Sequence, residues 1–378
     1  MAATAAIGLF GVSLARAARS PLSMAASATW RVPNVLFNRV VRAGPRLVGV
    51  GEHGIAVWSD DHGVSWHQAR VPVSVTLTSV FFVTESLGWA TGHGGVILNT
   101  EDGGKIWQRQ LDGGQFAQAA LKRAQDLSSG DGEAQQNLRD AERLVEDGAD
   151  KPFLALYFLD ARHGMAVGAY GIAARTSDGG RNWTPCLEIL DNPDGMHLYA
   201  IARAADCWVV AGEQGFLAQS HSRTGSFRRI DTPGGGSFFT LANVRPNSVL
   251  AAGLLGNASW LDVDSRQLTP CDLPDKATVL SATVLQSSLI VLVEAGGGLL
   301  VSKDRGQSFS WSEAARTGPM TSIVETPNGS LVAAGPAGMR LLSMDEVVLS
   351  GQGPDARCAA DSIELQVCSG QSRVGDKS

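Results

Sequence analysis

Short apolar runs recur along the chain on both sides of a Gly-x-x-Gly turn, as in VGVGEHGIAVW and ATGHGGVILNT. Seven copies are present, and their first glycine place is filled by Gly51, Gly92, Gly168, Gly212, Gly253, Glu294 and Gly335. Successive copies lie 41, 76, 44, 41, 41 and 41 residues apart. The chain is therefore an array of one repeated unit, with one interval lengthened by an insertion.

Each unit has the pattern of four short strands. Segments such as 77–83 and 153–159 are apolar on both faces, which predicts a buried innermost strand. The runs before and after the turn supply the second and third strands, and the segment after a following aromatic residue supplies the fourth. Four antiparallel strands in about 41 residues are typical of a propeller blade. We therefore predict an all-β fold, a seven-bladed β-propeller over residues 29–350.

A second motif, Ser/Thr-x-Asp-x-Gly-x-x-aromatic, falls between the third and fourth strands. We call it the Asp box, and its four full copies contain Asp61, Gly63 and Trp66; Asp102, Gly104 and Trp107; Asp178, Gly180 and Trp183; and Asp304, Gly306 and Phe309. The carboxylate is suited to accept backbone N–H groups of its own turn, the glycine to adopt positive φ, and the aromatic to fill space between blades. The copy at 220–227 is altered and the fifth is lost. Several identical boxes indicate an architectural role, because catalysis needs a single constellation.

The long interval carries an insertion at residues 113–149. Two helical stripes are present, formed by Phe116, Ala120, Ala124 and Leu127, and by Leu138, Ala141, Leu144 and Val145. We predict an αα-hairpin between the second and third blades, on the same face as the Gly-x-x-Gly turns.

Polar and aromatic residues of these turns should share one rim, because loops on one face of a rigid scaffold are common binding sites. The candidate partner-binding residues are Glu52, His53, His93, Tyr170, Glu213 and Gln214 on the turns, with Lys122, Arg123, Arg139 and Arg143 on the hairpin. The alternative is that these are solvated turn residues and that the hairpin is a tolerated insertion. Glu52, His53, His93 and Glu213 are residue types that bind metals, but equivalent turns of adjacent blades seldom share one coordination sphere, so no metal and no cofactor are expected.

The string GWATGHGGVILNTEDGGKIW, the seven units and an apolar leader together resemble the photosystem II assembly and stability factors and their bacterial relatives. The resemblance covers residues 34–345. It implies a propeller of the thylakoid lumen or the periplasm that helps to build a membrane-associated protein complex, photosystem II or another envelope complex, without doing chemistry.

An enzymatic alternative is a sialidase-like or other glycoside hydrolase that uses the face opposite the Asp boxes. TWRVP at 29–33 resembles the sialidase arginine motif, and Asp160, Asp206 and Glu325 near inner-strand ends are candidate carboxylates. Against it stand the presence of only three tyrosines, Tyr157, Tyr170 and Tyr199, and seven units where sialidases have six blades.

Composition and the two terminal segments support further predictions. A net charge of −6 disfavours a nucleic-acid partner, and we expect a monomer. Residues 1–28 resemble an export leader, cleaved after Ala28 or Ala17, although no basic residue precedes its apolar run. We expect residues 351–378 to form a flexible tail, in which Cys358 and Cys368 are able to pair. The seventh blade needs a fourth strand, supplied either by Val347–Leu349 or, as we prefer, by residues 30–33.

Overall fold

The computed structural model describes residues 20–28, 35–127, 132–220, 225–312 and 318–348, without the side chain of residue 133. The expected leader cleavage at Ala17, the TWRVP segment, the altered box residues 221–224, the preferred closing strand at 30–33 and the tail cysteines lie outside these ranges. Of the described residues, no helix combines the length and hydropathy that a membrane span requires.

The described chain forms seven antiparallel sheets, each built from strands consecutive in sequence, which confirms the expected all-β class. The first four sheets contain β1 (Phe37–Ala43), β2 (Arg46–Gly51), β3 (Ala56–Ser59) and β4 (His67–Gln68); β5 (Leu77–Phe82), β6 (Gly88–Gly92), β7 (Ile97–Thr100) and β8 (Gln108–Leu111); β9 (Phe153–Phe158), β10 (Gly164–Gly168), β11 (Ala173–Thr176) and β12 (Thr184–Pro185); and β13 (Leu198–Ala204), β14 (Cys207–Gly212), β15 (Leu217–Ser220) and β16 (Phe227–Arg229).

The remaining sheets contain β17 (Phe238–Arg245), β18 (Ser248–Gly253), β19 (Ala258–Asp262) and β20 (Gln267–Pro270); β21 (Val279–Val284), β22 (Ile290–Glu294), β23 (Leu299–Ser302) and β24 (Ser310–Trp311); and β25 (Ser322–Glu325), β26 (Leu331–Gly335) and β27 (Gly338–Leu342). Each sheet packs on the next through its first strand, and β1 of the first sheet also contacts β25 and β26 of the last. Seven separate apolar clusters fill the spaces between adjacent sheets.

The second strand of each sheet is more deeply buried than the first. All five residues of β6 and of β10 are buried, whereas β5 and β9 alternate between buried and half-buried positions. The expectation of buried innermost strands is therefore confirmed only in part. Neighbouring sheets cover both faces of a second strand, while one edge of the innermost strand is left without a partner among the described strands.

The insertion forms the expected helical hairpin, with α1 (Gly113–Asp126) and α2 (Gly132–Asp147). Asp112 caps α1: its Oδ1 accepts from Gln115 N, while Gln115 Oε1 accepts from Asp112 N. A third helix, α3 (Met344–Val348), follows the last sheet. The alternative that Val347–Leu349 supplies an outer strand was therefore wrong for its described residues. Ser343 starts the helix instead, because its Oγ accepts from Glu346 N and Glu346 Oε2 accepts from Ser343 N.

Candidate functional site

The two kinds of turn lie at opposite ends of the third strands and so define two faces. The Gly-x-x-Gly turns form single helical turns such as Glu52–Gly54 and Ala169–Gly171, and we call their side the turn face. Their middle residues include His53 and Tyr170, with φ of 54° and 55°, so the side chain projects from a left-handed position. The Asp boxes form the other side, the box face.

The Asp-box carboxylates are engaged inside their own turns. Asp61 Oδ1 accepts from Ser59 Oγ at 2.7 Å and from Ser65 N at 2.9 Å, and Ser59 Oγ accepts from Gly63 N. These hydrogen bonds, led by the one from the Ser65 hydroxyl, lower the pKa of Asp61 to about 2. The boxes at Asp102, Asp178 and Asp304 repeat the pattern. These carboxylates are therefore occupied by hydrogen bonds within their own turns.

Two of the expected rim residues, Glu52 and Glu213, connect the turns to the innermost strands by hydrogen bonds. Glu52 Oε1 accepts from Leu36 N at 3.0 Å, and Glu213 Oε2 accepts from His197 N at 3.1 Å. Leu36 and His197 both directly precede an innermost strand. Both carboxylates thus make the same hydrogen bond within their own sheets.

The helical hairpin packs on the third sheet. Phe116 is buried and meets Phe153 edge-on at 5.3 Å between ring centroids, and Ala120, Ala141 and Leu144 join the same apolar cluster. Leu127, expected on the buried stripe, is instead 50% exposed, because it follows the last turn of α1 beyond the packed surface.

A cleft of about 940 Å³ opens beside the hairpin on the turn face. One wall consists of hairpin residues, and the other belongs to the connection between β12 and β13 and to the turn before β11. The apolar part of this hairpin cleft is lined by Ala120, Ala124, Leu127, Ala141 and Leu144 on the hairpin, and by Tyr170, Pro185, Leu187 and Pro193 opposite. The cleft is large enough for several side chains of an extended segment.

Ion pairs fix the two walls of the hairpin cleft. Arg123 Nη2 lies 2.5 Å from Glu188 Oε1 and joins the hairpin to the opposite wall. The hydrogen bonds that Arg123 donates to Glu188 raise the pKa of Arg123. Lys151 Nζ lies 2.9 Å from Asp147 Oδ2. Burial acts to lower the pKa of Lys151, but hydrogen bonds with Asp150 and Asp147 outweigh it and the pKa is raised.

An aromatic row leads from the hairpin cleft across three sheets. The Tyr170 ring is 58% exposed, with Lys151 Nζ 4.8 Å above its centroid and His197 at 4.7 Å edge-on. Tyr170 N donates to His197 Nδ1 at 2.9 Å. The row continues from His197 to Tyr199 and from Tyr199 to Phe239, at centroid distances of 6.2 and 5.1 Å. Such rings offer contact area at low entropic cost.

The candidate residues from the sequence divide into two groups. Tyr170, Arg123 and Arg143 line the hairpin cleft together. The others lie outside its lining: Glu52, His53, His93, Glu213, Gln214, Lys122 and Arg139. The candidates are therefore not gathered in one place: three line the cleft, and seven lie on other turns or elsewhere on the hairpin.

Sequence reasoning missed the second wall of the cleft, which includes Leu187, Glu188 and Pro193. One signal was present: the step from Gly168 to Gly212 is 44 residues where most steps are 41. The additional residues lengthen the connection after β12, and that connection faces the hairpin.

The candidate carboxylates of the enzymatic alternative lie at the box-face ends of inner strands and are already engaged in hydrogen bonds or ion pairs. Asp160 accepts from Arg162 N and His163 N, Asp206 pairs with Arg203, and Glu325 accepts from Gln286 N. No group of three His, Cys, Asp or Glu side chains in the described part of the chain is arranged to hold a metal ion. The three described cysteines are free and buried, and burial raises the pKa of Cys186 to about 12, so its thiol is unreactive.

Solved structures with a fold similar to that of this chain include β-propellers. The WD40 β-propeller domain of Doa1 aligns with a TM-score of 0.60 at 11% identity, over 85% of this chain and 96% of that domain. At this identity the likeness concerns the fold alone.

Two structures of YCF48 are also similar. One, from Cyanidioschyzon merolae, has a TM-score of 0.59 at 13% identity and covers 82% of this chain and 95% of its own. The other, described as YCF48 bound to D1 peptide, has a TM-score of 0.58 at 15% identity and covers 82% and 91%. No family model and no curated protein sequence matches the chain.

Proposed function

We propose that this chain is a closed, seven-bladed β-propeller that serves as a non-catalytic assembly factor and holds a peptide segment of a membrane protein in the hairpin cleft. Closure is supported by hydrogen bonds between the last sheet and the first. Thr321 Oγ1 donates to Phe37 O at 2.7 Å, and Val40 N donates to Ser322 Oγ at 2.9 Å.

The observation that carries the binding function is the construction of the hairpin cleft. Most of its lining comes from two additions to the repeat, the hairpin and the lengthened connection after β12, and the repeat turn with Tyr170 completes it. Arg123 and Glu188 tie the walls together and neutralise each other. The apolar lining between such pairs suits an extended segment with apolar side chains, because burial of those side chains is the main source of affinity.

The comparisons support a peptide as the ligand. One similar structure is YCF48 bound to D1 peptide, and the same kind of ligand suits the volume and lining of the hairpin cleft. We extend the function, as a proposal, to a membrane-associated complex, photosystem II or another envelope complex. We place the protein in the thylakoid lumen or the periplasm on the strength of the leader-like segment 1–28.

A cross-linking experiment tests the proposal. A photoreactive phenylalanine analogue at position 127 lies on the hairpin-cleft lining, and one at position 53 occupies an exposed turn outside it. We expect illumination of the protein with a membrane extract from its own source to join position 127, and not position 53, to a segment of a membrane-complex subunit. Mass spectrometry of the adduct identifies that segment.

Matched substitutions provide the affinity test. Tyr170 and His53 hold the same place in their repeats with nearly the same φ, so Tyr170→Ala and His53→Ala have similar backbone costs. We expect Tyr170→Ala to weaken binding of the identified segment about tenfold and His53→Ala to leave it unchanged. Equal binding by both variants would contradict the role of the cleft. Turnover of chromogenic glycosides would contradict the non-catalytic assignment.

A further inference from the structure

Three neighbouring turns of the turn face are held to the next sheet by the same hydrogen bond. In each, the backbone N–H of the middle turn residue donates to the side chain that directly precedes the next innermost strand. The three bonds run from Tyr170 N to His197 Nδ1 at 2.9 Å, from Gln214 N to Ser237 Oγ at 3.1 Å, and from Leu255 N to Thr278 Oγ1 at 3.2 Å. Of the three acceptors, only the imidazole changes its charge near neutral pH.

The donor fixes the protonation state of the His197 ring. A backbone N–H group only donates, so Nδ1 of His197 accepts and carries no proton while the bond from Tyr170 N exists. In the neutral ring the proton is therefore on Nε2. When the ring becomes an imidazolium, both nitrogens are donors, and the bond from Tyr170 N is lost.

The surroundings of His197 offer the protonated ring a different partner. Glu213 Oε2 lies 3.8 Å from Nδ1 and already accepts from His197 N at 3.1 Å. The rings of Tyr170 and Tyr199 pack edge-on against the imidazole and carry no charge near neutral pH. The other charged groups nearby are already paired: Lys151 with Asp147 and Asp150, and Asp194 with Arg229. A proton on Nδ1 therefore turns the ring from Tyr170 N towards Glu213.

We propose that His197 is a pH-dependent latch of the hairpin cleft: the neutral ring holds the turn that carries Tyr170, and the protonated ring releases it. Tyr170 lines the cleft. Its turn also lies against the connection between β12 and β13, since a side chain at Gly171 would come within 2.7 Å of Asn192 Nδ2. Release of the turn loosens this wall, so a bound segment is held more weakly in acid. The effect on binding rests on the proposed function, whereas the latch itself does not.

Amide exchange of the whole chain without ligand tests the latch. Protection factors are compared, because they correct for the direct effect of pH on exchange. We expect the protection of Tyr170 N to be about fivefold lower at pH 5 than at pH 8, the effect of losing one hydrogen bond. Gln214 N and Leu255 N are the matched controls and should keep their protection, because hydroxyl acceptors do not titrate. Equal protection of Tyr170 N at both pH values would overturn the proposal.

The ring nitrogens of His197 provide a second measurement on the wild type alone. Their ¹⁵N chemical shifts show which nitrogen carries a proton, and contacts with the Tyr199 ring protons assign the signals. We expect an unprotonated Nδ1 and a protonated Nε2 at pH 8, and protons on both at pH 5. A proton on Nδ1 at pH 8 would also overturn the proposal.

A binding measurement tests the link between the latch and the hairpin cleft. Affinity for the segment identified by cross-linking should fall several-fold from pH 8 to pH 5 in the wild type. His197→Ser supplies the hydroxyl acceptor that Ser237 provides in the next sheet, so this variant should show no such fall. Parallel falls in both proteins would show that the latch does not control the cleft. If no segment binds at either pH, the proposed function fails, while the exchange of Tyr170 N still decides whether the latch exists.

Discussion

Glu294 occupies the place that the other six repeats give to glycine. At Gly51, Gly168 and Gly253, a side chain would collide with the carbonyl oxygen just before the innermost strand. Glu294 is 2% exposed, and its Oε1 has no hydrogen-bond partner. Its carboxyl group lies over Gly298, where any side chain would overlap it. The sixth sheet therefore holds a buried carboxyl group at a position where the other sheets have no side chain.

This burial makes stability depend on pH. Desolvation first, and Asp275 second, raises the pKa of Glu294 from 4.5 to about 8. Between these values the folded state keeps a proton that the unfolded state has released, so stability falls as pH rises from 4.5 to 8. We expect Glu294→Gln to remove this decline, so that its melting temperature relative to wild type increases from pH 5 to pH 8. Thermal scans at both pH values measure the difference.

The half-buried Glu325 of the seventh sheet supplies a control for this prediction. Its carboxylate accepts from Gln286 N, a bond that an amide oxygen is able to keep. Glu325→Gln should follow the wild-type pH dependence. If Glu294→Gln also follows it, the buried carboxyl group is not the origin of the decline.

At the scale of elements, the sequence pattern located the hairpin well and its contacts less well. Residues 113–149 were predicted, and the two helices span Gly113–Asp126 and Gly132–Asp147. Periodicity identifies an apolar stripe, but it does not show how far along the stripe a partner surface extends. That is why Phe116 is buried as expected while Leu127 lies in the hairpin cleft.

Two substitutions in the hairpin should affect stability and binding separately. Phe116→Ala removes a buried ring from the contact with Phe153, and we expect it to lower the free energy of unfolding by about 3–5 kcal/mol. Leu127→Ala changes a half-exposed side chain, so stability should stay within about 0.5 kcal/mol while affinity for the docked segment falls. Urea unfolding and the binding assay measure the two effects. A large loss of stability in Leu127→Ala would place it in the core.

At the scale of the whole molecule, side-chain hydrogen bonds at the start of the innermost strands connect neighbouring sheets. Asn38 and Thr78 lie at the bulges of β1 and β5, and Thr321 directly precedes β25. Each reaches the first residue of the next innermost strand: Asn38 Nδ2 donates to Leu77 O, Thr78 Oγ1 to Phe153 O, and Thr321 Oγ1 to Phe37 O. The last of these contacts joins residues 284 positions apart and repeats, between the ends of the array, the geometry used inside it. The same kind of side-chain hydrogen bond therefore joins neighbouring sheets within the array and the first and last sheets.

A pair of equivalent substitutions tests ring closure. Thr321→Val removes the bond between the last and first sheets, and Thr78→Val removes its counterpart between the second and third. Each should cost about 1 kcal/mol, the usual net value of such a hydrogen bond. Amide exchange should increase in β1 and β25 for Thr321→Val, and in β5 and β9 for Thr78→Val. Unchanged exchange in β1 and β25 would indicate that the ends are not held together by this contact.

The sequence by itself determined the features that depend on neighbouring residues. The turns, the Asp boxes and the helices are closed by hydrogen bonds that span at most a few residues, so their residue types and spacing were sufficient to predict them. The tertiary structure decided what depends on distant segments: the pairing of Arg123 with Glu188, the hydrogen bond from Tyr170 to His197, the burial of Glu294 and the contact of the terminal sheets. These depend on which side chains the array of sheets brings together, and a repeat period fixes the order of the sheets without fixing those contacts.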